Sequence, residues 1–426
     1  MRRSRTPLLV LFVTAFVDMV GLTMVVPLLP FYATEYGASA SLVGVLVSAF
    51  SVAQLAAAPL WGRFSDRYGR RPAILAGLVV TAVAYVLFAA AGSVATLLLS
   101  RVIQGLGGGT IGVVQAYVAD TSTPQQRVKS LGWLSAVTSF GAVVGPAFGS
   151  AMVALGGRQA PGIGAAILSL LVAVFGWQFL RESRVHTTTG HGAGPAVHRT
   201  SRSVMLGILT RWNEPASRLI WIYAVAIGAF YGTIQLAPLL LQARLQVTEQ
   251  NVGYFVMYLG GMGVIVRALV LGRAVDRLGE ARLSRLGILF LAAGLLTTGM
   301  ARNGPAFAAG FTLMPLGTAF LFPCITGLLS RVVPARDRGL YMGVQHTFGG
   351  VSRVAFPVGA GILMDRFGVG VPFWIAALLV VATLPLTVAL DRWLAAARPE
   401  AVEARTLAAA DITGEIRLDQ QPGRTN

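Results

Sequence analysis

The sequence predicts an all-α membrane protein, with twelve transmembrane helices in two pseudo-symmetric six-helix bundles. Three observations lead there. The 426 residues are 55% hydrophobic and only 12% charged, with a mean hydropathy of +0.69, whereas a water-soluble surface needs far more charge. Mostly apolar runs of about 20 residues, the length that crosses a bilayer, recur twelve times. A charged eight-residue pattern that follows the second run returns after the eighth.

The runs lie near 8–32, 42–62, 73–92, 95–118, 131–155, 163–180, 217–241, 250–272, 284–301, 305–330, 340–363 and 372–393. They show no period-two alternation. Only helices or closed barrels satisfy backbone groups in lipid, so each run is read as a helix, numbered 1 to 12. Fifty glycines fit this reading, because glycine lets membrane helices approach closely. Met1-Arg2-Arg3-Ser4-Arg5 before an apolar run imitates a signal peptide, but the run continues to about Phe31, too long for one. A single cysteine, Cys324, excludes an internal disulfide framework and any cysteine-based metal cluster.

A net charge of +17 raises the question of nucleic acid, and the placement of the charges answers it. One set of loops holds Arg63, Arg67, Arg70 and Arg71, then Arg127 and Lys129, then Arg181, Arg184, Arg199, Arg202 and Arg211, then Arg273, Arg277, Arg282 and Arg285, then Arg331, Arg336 and Arg338. The opposite loops hold at most one basic residue each, Arg158, Arg244, Arg302 and Arg366. That asymmetry places both termini in the cytoplasm of a plasma membrane protein, without a nucleic-acid partner. Residues 181–216, rich in Thr, Gly, Ser, His and Arg, read as a cytoplasmic loop between an N-terminal bundle (1–180) and a C-terminal bundle (217–395). Residues 396–426 read as a disordered polar tail.

The repeated pattern is Gly62-Arg63-Phe64-Ser65-Asp66-Arg67-Tyr68-Gly69 and Gly272-Arg273-Ala274-Val275-Asp276-Arg277-Leu278-Gly279, offset by 272 − 62 = 210 residues. A fainter copy, with Asp365-Arg366, runs from Gly361 to Gly368. With Arg70-Arg71-Pro72 appended, the first copy resembles the signature loop of the major facilitator superfamily. The fold and function this implies are those of a secondary transporter working by alternating access. Physically, the glycines permit a tight turn, and Asp66 can cap a helix N-terminus or pair with an arginine. Asp120, in Ala116-Tyr117-Val118-Ala119-Asp120 at the end of helix 4, is expected to pair with the basic loop. These contacts read as a conformational latch. A basic turn that only fixes topology is the simpler alternative, but it needs neither Asp66 nor the paired glycines.

Helix 5 carries Gly132, Gly141, Gly145-Pro146 and Gly149. The spacing resembles the superfamily's antiporter motif, with Ser150 where a final glycine is usual. Gly141, Gly145 and Gly149 share one helical face, which admits a neighbour closely, and Pro146 should bend the helix. The export direction comes from the resemblance, since the packing would serve any tight helix pair. In helix 4, Arg101-Val102-Ile103-Gln104-Gly105 followed by Gly107, Gly108 and Gly109 resembles the motif whose arginine is linked to proton transfer; an arginine snorkelling to headgroups is the alternative.

Asp18 lies near the middle of helix 1 and is the one carboxylate found near mid-membrane. A charge there costs roughly 3 kcal/mol or more, so the group is expected to hold a proton and release it when water or a cation arrives. Asp18-Met19-Val20-Gly21, with Pro27 and Pro30, resembles the first helix of the drug:proton antiporters, tetracycline exporters included. A protonated aspartate hydrogen-bonded for structure alone is the other reading. The resemblance covers nearly the whole chain and is strongest over 8–155. It departs at Ala84 and Leu291, where tetracycline exporters place aspartates that help hold a metal–tetracycline complex, which argues against tetracycline as cargo.

Other polar residues fall within the runs. Gln54, Gln104, Gln235, Gln345, His346 and Arg353 are possible substrate contacts, although each amide also serves as a helix-to-helix hydrogen bond. His346 suits a proton relay. Arg353 divides evenly between ligand contact and structure, and Arg267 is placed to snorkel. Tyr32, Phe230, Tyr231 and Phe348 could line an apolar pocket or simply pack. His186, His191 and His198 lie in the central loop at no metal-binding spacing.

Together these features describe a monomeric proton-coupled antiporter that exports small amphipathic molecules, with protons, the lipid bilayer and a small-molecule substrate as partners and no cofactor or metal. An importer of an anion drawn by Arg353 and Arg101, or a non-transporting receptor, are the alternatives. An enzyme is set aside for want of a nucleophile–base pair, metal cluster or phosphate loop.

Overall fold

The computed structural model describes residues 5–123, 126–180, 182–183 and 201–388. Among them every regular element is a helix. Eleven spans are long and apolar enough to cross a membrane: Leu8–Glu35, Ala40–Tyr68, Arg70–Ala89, Val94–Thr121, Lys129–Gly156, Ala160–Phe179, Pro215–Ile234, Val252–Leu278, Glu280–Met300, Gly304–Val332 and Arg338–Phe367. A shorter apolar stretch, Val371–Thr387, takes the twelfth position. They are spans 1 to 12 below. The first six pack as one bundle and the last six as a second.

Several spans depart from straight α-helix where the sequence gives cause. Span 1 passes through a 3-10 turn at Val26–Leu28, which contains Pro27 and precedes Pro30, as expected where proline removes backbone donors. Span 4 divides after Gly108 and resumes at Ile111, beside the run of glycines. Span 8 holds a π-helical turn, Val266–Val270, around Arg267. Span 5 keeps its helical assignment from Arg127 to Gly156 straight through Pro146. The run read as 217–241 is two helices, Pro215–Ile234 and Ala237–Leu245, with Gln235 at the junction.

The stretch 181–216 is not all loop. A helix, Ser201–Thr210, lies within it. Its Val204 and Ile208 are buried, and the Ile208 carbonyl accepts from Trp221 Nε1 of span 7 at 3.3 Å. Ten residues beside Arg and Ser were too few to stand out as a periodic pattern. His186, His191, His198 and the tail 396–426 lie outside the described residues.

The internal repeat has a backbone signature. Gly69, Gly157, Gly279 and Gly368 close spans 2, 5, 8 and 11 with φ of 104°, 73°, 76° and 100°. That region favours glycine, so the last glycine of each pattern ends a helix and turns the chain. Gly157 ends span 5 in the same way, without the rest of the pattern.

The helix-5 glycine stripe packs as the spacing requires. A Cβ on Gly141 would meet the Phe16 carbonyl at 2.8 Å, and one on Gly145 the Val20 carbonyl at 2.7 Å. Gly149 abuts the Met24 carbonyl. Spans 1 and 5 are therefore in backbone contact along three turns. Gly132 lies off this stripe, with nothing near its Cβ position.

The two bundles close on each other at the end of the molecule that carries Arg158. A Cβ on Gly44 (span 2) would strike the Pro357 carbonyl of span 11, and one on Gly361 the Ala40 carbonyl. Gly253 (span 8) lies equally tight on the Pro146 carbonyl of span 5. Hydrogen bonds cross the same seam. Ser48 Oγ donates to the Val354 carbonyl at 2.7 Å, and the Asp365 carboxylate accepts from the Ala40 and Ser41 amides at 2.8 and 2.9 Å, capping span 2. Ser150, the departure from the motif, donates to the Glu249 carbonyl at 2.7 Å and accepts from the Gly253 amide at 2.8 Å. Arg158 pairs with Glu35 and, at 3.5 Å, with Glu249 of the other bundle.

Two outcomes follow from this seam. Gly253→Ala forces a methyl into the facing backbone, a change that costs about 1–3 kcal/mol, and only the closed arrangement bears that cost. Spin-label distances across the Arg158 end should shift toward a wider population, and an unchanged distribution contradicts the reading. Burial holds the Glu249 carboxyl above the usual range against the opposing pull of Arg158. A raised value means that the closed state binds the proton more tightly, so acid favours closure and rising pH weakens it. The same distances, followed as pH falls, should narrow in wild type and respond less in Glu249→Gln.

Candidate functional site

A cavity of about 580 Å³ opens within the first bundle. Its lining runs from Tyr85, near the far end of span 3, and Gln104 of span 4 to Ala119 and Leu131 near the signature-loop end, opposite the closed seam. Asp18 is the only charged residue among those lining it. It is half-buried, and among the described residues it makes no ion pair or hydrogen bond.

The base of the cavity gathers polar groups from three helices. The Tyr85 hydroxyl (span 3) lies within electrostatic reach of Asp18 and Arg101, with Gln104 beside it. Arg101 is 2% exposed, and its guanidinium stands 5.2 Å from the Phe88 ring centroid, a cation–π contact. Arg101 Nε is buried without a hydrogen-bond partner among the described residues, and the buried Gln104 amide lies against the Tyr85 hydroxyl. Buried polar groups are costly unless they find partners, which sets this cluster apart from the apolar walls around it. Sequence reasoning singled out Asp18, Arg101 and Gln104 but passed over Tyr85, one residue beyond Ala84. Ala84 and Leu291 are fully packed apolar positions.

The glycine break in span 4 positions this cluster. Gly105 lies against the Phe50 carbonyl of span 2, and Gly107 against Thr81 of span 3. Gln54 Nε2 donates to the Gly108 carbonyl at 3.2 Å and also lines the cavity. It is both a helix tie and a wall residue.

The remaining polar candidates fall elsewhere. Gln235, Gln345, His346 and Arg353 belong to the second bundle and do not line this cavity. Gln345, 1% exposed, accepts from Thr326 Oγ1 at 3.5 Å. Arg353 stands over the Tyr231 ring at 5.8 Å, and His346 faces Tyr223 edge-on at 6.4 Å. Of the aromatic candidates, Tyr32 stacks on Phe88 and Phe348 meets Trp221 edge-on, which is packing.

The signature loop is fastened inside its own bundle. Arg70 bonds Asp66 at 2.7 Å and Asp120 at 3.2 Å, and its Nη1 donates to Ser65 Oγ at 3.0 Å. The Glu182 carboxylate accepts from the Arg70 and Arg71 amides at 2.9 and 3.1 Å, capping span 3, and Arg71 also donates to the Trp177 carbonyl. Arg67 rests over Tyr68. Nothing lies near a Cβ on Gly62 or Gly272. In the second bundle the charges are exchanged: Glu280, 210 residues after Arg70, pairs at 2.9 Å with Arg331, which stands 211 residues after Asp120. Asp276 and Arg277 are exposed, and Asp276 has no ion pair among the described residues.

Comparison with known proteins agrees with this architecture. The model of the Major Facilitator Superfamily matches residues 11–273 and 262–420. Multidrug resistance protein 2 of Bacillus subtilis (strain 168) is 26% identical over 400 residues, covering 90% of this chain and 95% of that protein. The class B tetracycline resistance protein of Escherichia coli is 26% identical over 368 residues, covering 85% and 88%. Among solved structures, a bacterial homologue of the human lysosomal transporter Spinster, inward-facing and unoccupied, superposes with a TM-score of 0.76 at 15% identity, over 93% of this chain and 98% of that one. With its two six-helix bundles, its duplicated signature loop and a family match over most of its length, the chain belongs to the Major Facilitator Superfamily of membrane transporters.

Proposed function

We propose that this transporter is a proton-coupled antiporter of the bacterial plasma membrane that exports small amphipathic molecules. The observation that carries the reading is Asp18, the one charged group lining a mostly apolar cavity. The concentration of basic residues in the signature-loop set of connections supports placing that end in the cytoplasm. The cavity then faces inward, and the seam of glycines seals the outside. The names of the relatives, a multidrug resistance protein and a tetracycline resistance protein, agree with export. Ala84 and Leu291 leave no carboxylates for a metal–drug complex, which favours cargo other than metal-bound tetracycline.

In this mechanism the two bundles, 1–180 and 217–395, rock about the cleft between them. Inward-facing, Asp18 exchanges its proton for the basic group of a cargo molecule. Once the cavity turns outward, a proton from outside displaces the cargo. Tyr85, which lies within electrostatic reach of both Asp18 and Arg101, links the carboxylate to the guanidinium, and Gln104 stands beside it. Exchange of one proton for one monovalent cation moves no net charge, so the pH difference supplies the drive, and each unit of it sustains a concentration ratio of about ten. The Arg70–Asp66–Asp120 cluster and its charge-exchanged counterpart stiffen the loop ends that must part and meet during the cycle.

In proteoliposomes with an imposed pH gradient, Asp18→Asn should abolish gradient-driven transport of an amphipathic cation while the protein remains folded; coupling that survives in this variant removes Asp18 from the mechanism. The exchanged pair in the second bundle suggests a further experiment. Arg70→Glu and Asp120→Arg should each slow transport, and the double variant should recover part of the loss, by a coupling of about 0.2–1 kcal/mol as for exposed pairs. Strict additivity of the two losses contradicts a direct pairing role.

A further inference from the structure

Among the described residues, the second bundle carries a cation with no ion-pair partner. The acidic residues described there, Glu214, Glu249, Asp276, Glu280, Asp337 and Asp365, all lie at or near the ends of spans. Arg353 lies at the middle of span 11, 15 residues from Arg338 and 14 from Phe367. At about 1.5 Å per residue each end is more than 20 Å away, too far for the side chain to snorkel to headgroups. Among the described residues Arg353 makes no ion pair or hydrogen bond, and its guanidinium rests on the Tyr231 ring. An uncompensated arginine at this depth is costly on every scale.

The helix geometry shows where this cation points. Gly350, Val354, Pro357 and Gly361 face span 2, through Leu55, Ser48, Gly44 and Ala40. Gly349 and Phe356 face span 7, through Tyr223 and through Gly228 and Gly232. At 100° per residue, positions 346 and 353 fall on the short arc between those two faces. That arc lies between span 2 of the first bundle and span 7 of the second. His346 is exposed there, Arg353 is half-buried, and Tyr231 is 36% exposed. A cation, an imidazole and a phenol ring thus share one accessible strip on the bundle opposite Asp18.

We propose that Arg353, with His346 and Tyr231 beside it, is a half-site for the acid group of the cargo. Arg353 supplies a forked donor that suits a carboxylate, and Tyr231 supplies an aromatic face for the adjoining ring. The cargo is then an aromatic zwitterion whose acid meets the second bundle and whose amine meets Asp18 on the first. The amine half of this assignment rests on the function proposed above, while the acid half stands on Arg353 alone.

Binding to the purified full-length protein, measured by calorimetry at fixed pH without any gradient, tests it. The probes are 4′-(aminomethyl)biphenyl-4-carboxylate and its methyl ester, which share the ring system and the amine and differ in the acid. Wild type should bind the carboxylate roughly tenfold or more tighter, as charge-assisted hydrogen bonds imply. Arg353→Gln should bind both compounds alike, and Arg353→Lys should keep part of the preference, which also covers a glutamine variant that fails to fold. Equal affinities in wild type, no binding of the carboxylate, or a preference that survives in Arg353→Gln overturns the proposal. A preference seen only in Asp18→Asn also overturns it, by assigning Arg353 to an ion pair with Asp18. Because no proton flux is measured, failure of coupling and failure of the acid half-site give different results.

Discussion

The structure depends on how closely two bundles of helices can approach without side chains between them. At the Arg158 end, Gly44, Gly253 and Gly361 each place a Cα hydrogen where any other residue would drive carbon into the facing backbone. Membrane helices gain no hydrophobic energy from leaving lipid for one another, so dispersion contact and interhelical hydrogen bonds must hold them. Glycine supplies the first by removing the spacer. Ser48, Ser150 and Asp365 supply the second, each bonding backbone of the opposite bundle. The cavity with Asp18 in its wall lies within the first bundle and extends away from this closed end, toward the signature loop.

A second constraint is charge in a medium that tolerates little of it. The membrane interior of this protein holds few ionisable groups, and they are divided between the bundles. Asp18 and Arg101 stand in the first, joined through Tyr85, and Arg353 stands in the second against Tyr231. None has a complete set of partners among the described residues. Such incompleteness is expensive in a static protein and useful in one that must exchange ligands, because each missing contact is a place where cargo or a proton binds better in one state than in the other.

Much of the fold was legible because membrane helices announce themselves by length and hydropathy, and eleven spans match the predicted runs closely. The glycine stripe on span 5 and the pairing of Asp120 with the basic loop were legible for a similar reason, since both follow from local spacing and charge. Tyr85 was not, because its neighbours come from spans 1 and 4 and a lone tyrosine in an apolar run carries no periodic signal. Arg158 read as a solitary basic residue; its partners Glu35 and Glu249 lie 123 and 91 residues away. The function of Ser150 was visible only as a departure from a pattern, and the structure shows that its hydroxyl bridges bundles. Gln235, Gln345, His346 and Arg353 were grouped with Gln54 and Gln104 on polarity alone, and three-dimensional placement separates them.

The claim at the centre is that one carboxylate exchanges a proton for cargo. Adding tetraphenylphosphonium, an amphipathic cation, to purified protein in weakly buffered detergent solution near neutral pH tests this directly. The account predicts release of a proton into solution on binding, up to about one per bound molecule, because linkage requires two ligands that exclude each other to displace each other. Binding with no change in proton occupancy at any pH contradicts it.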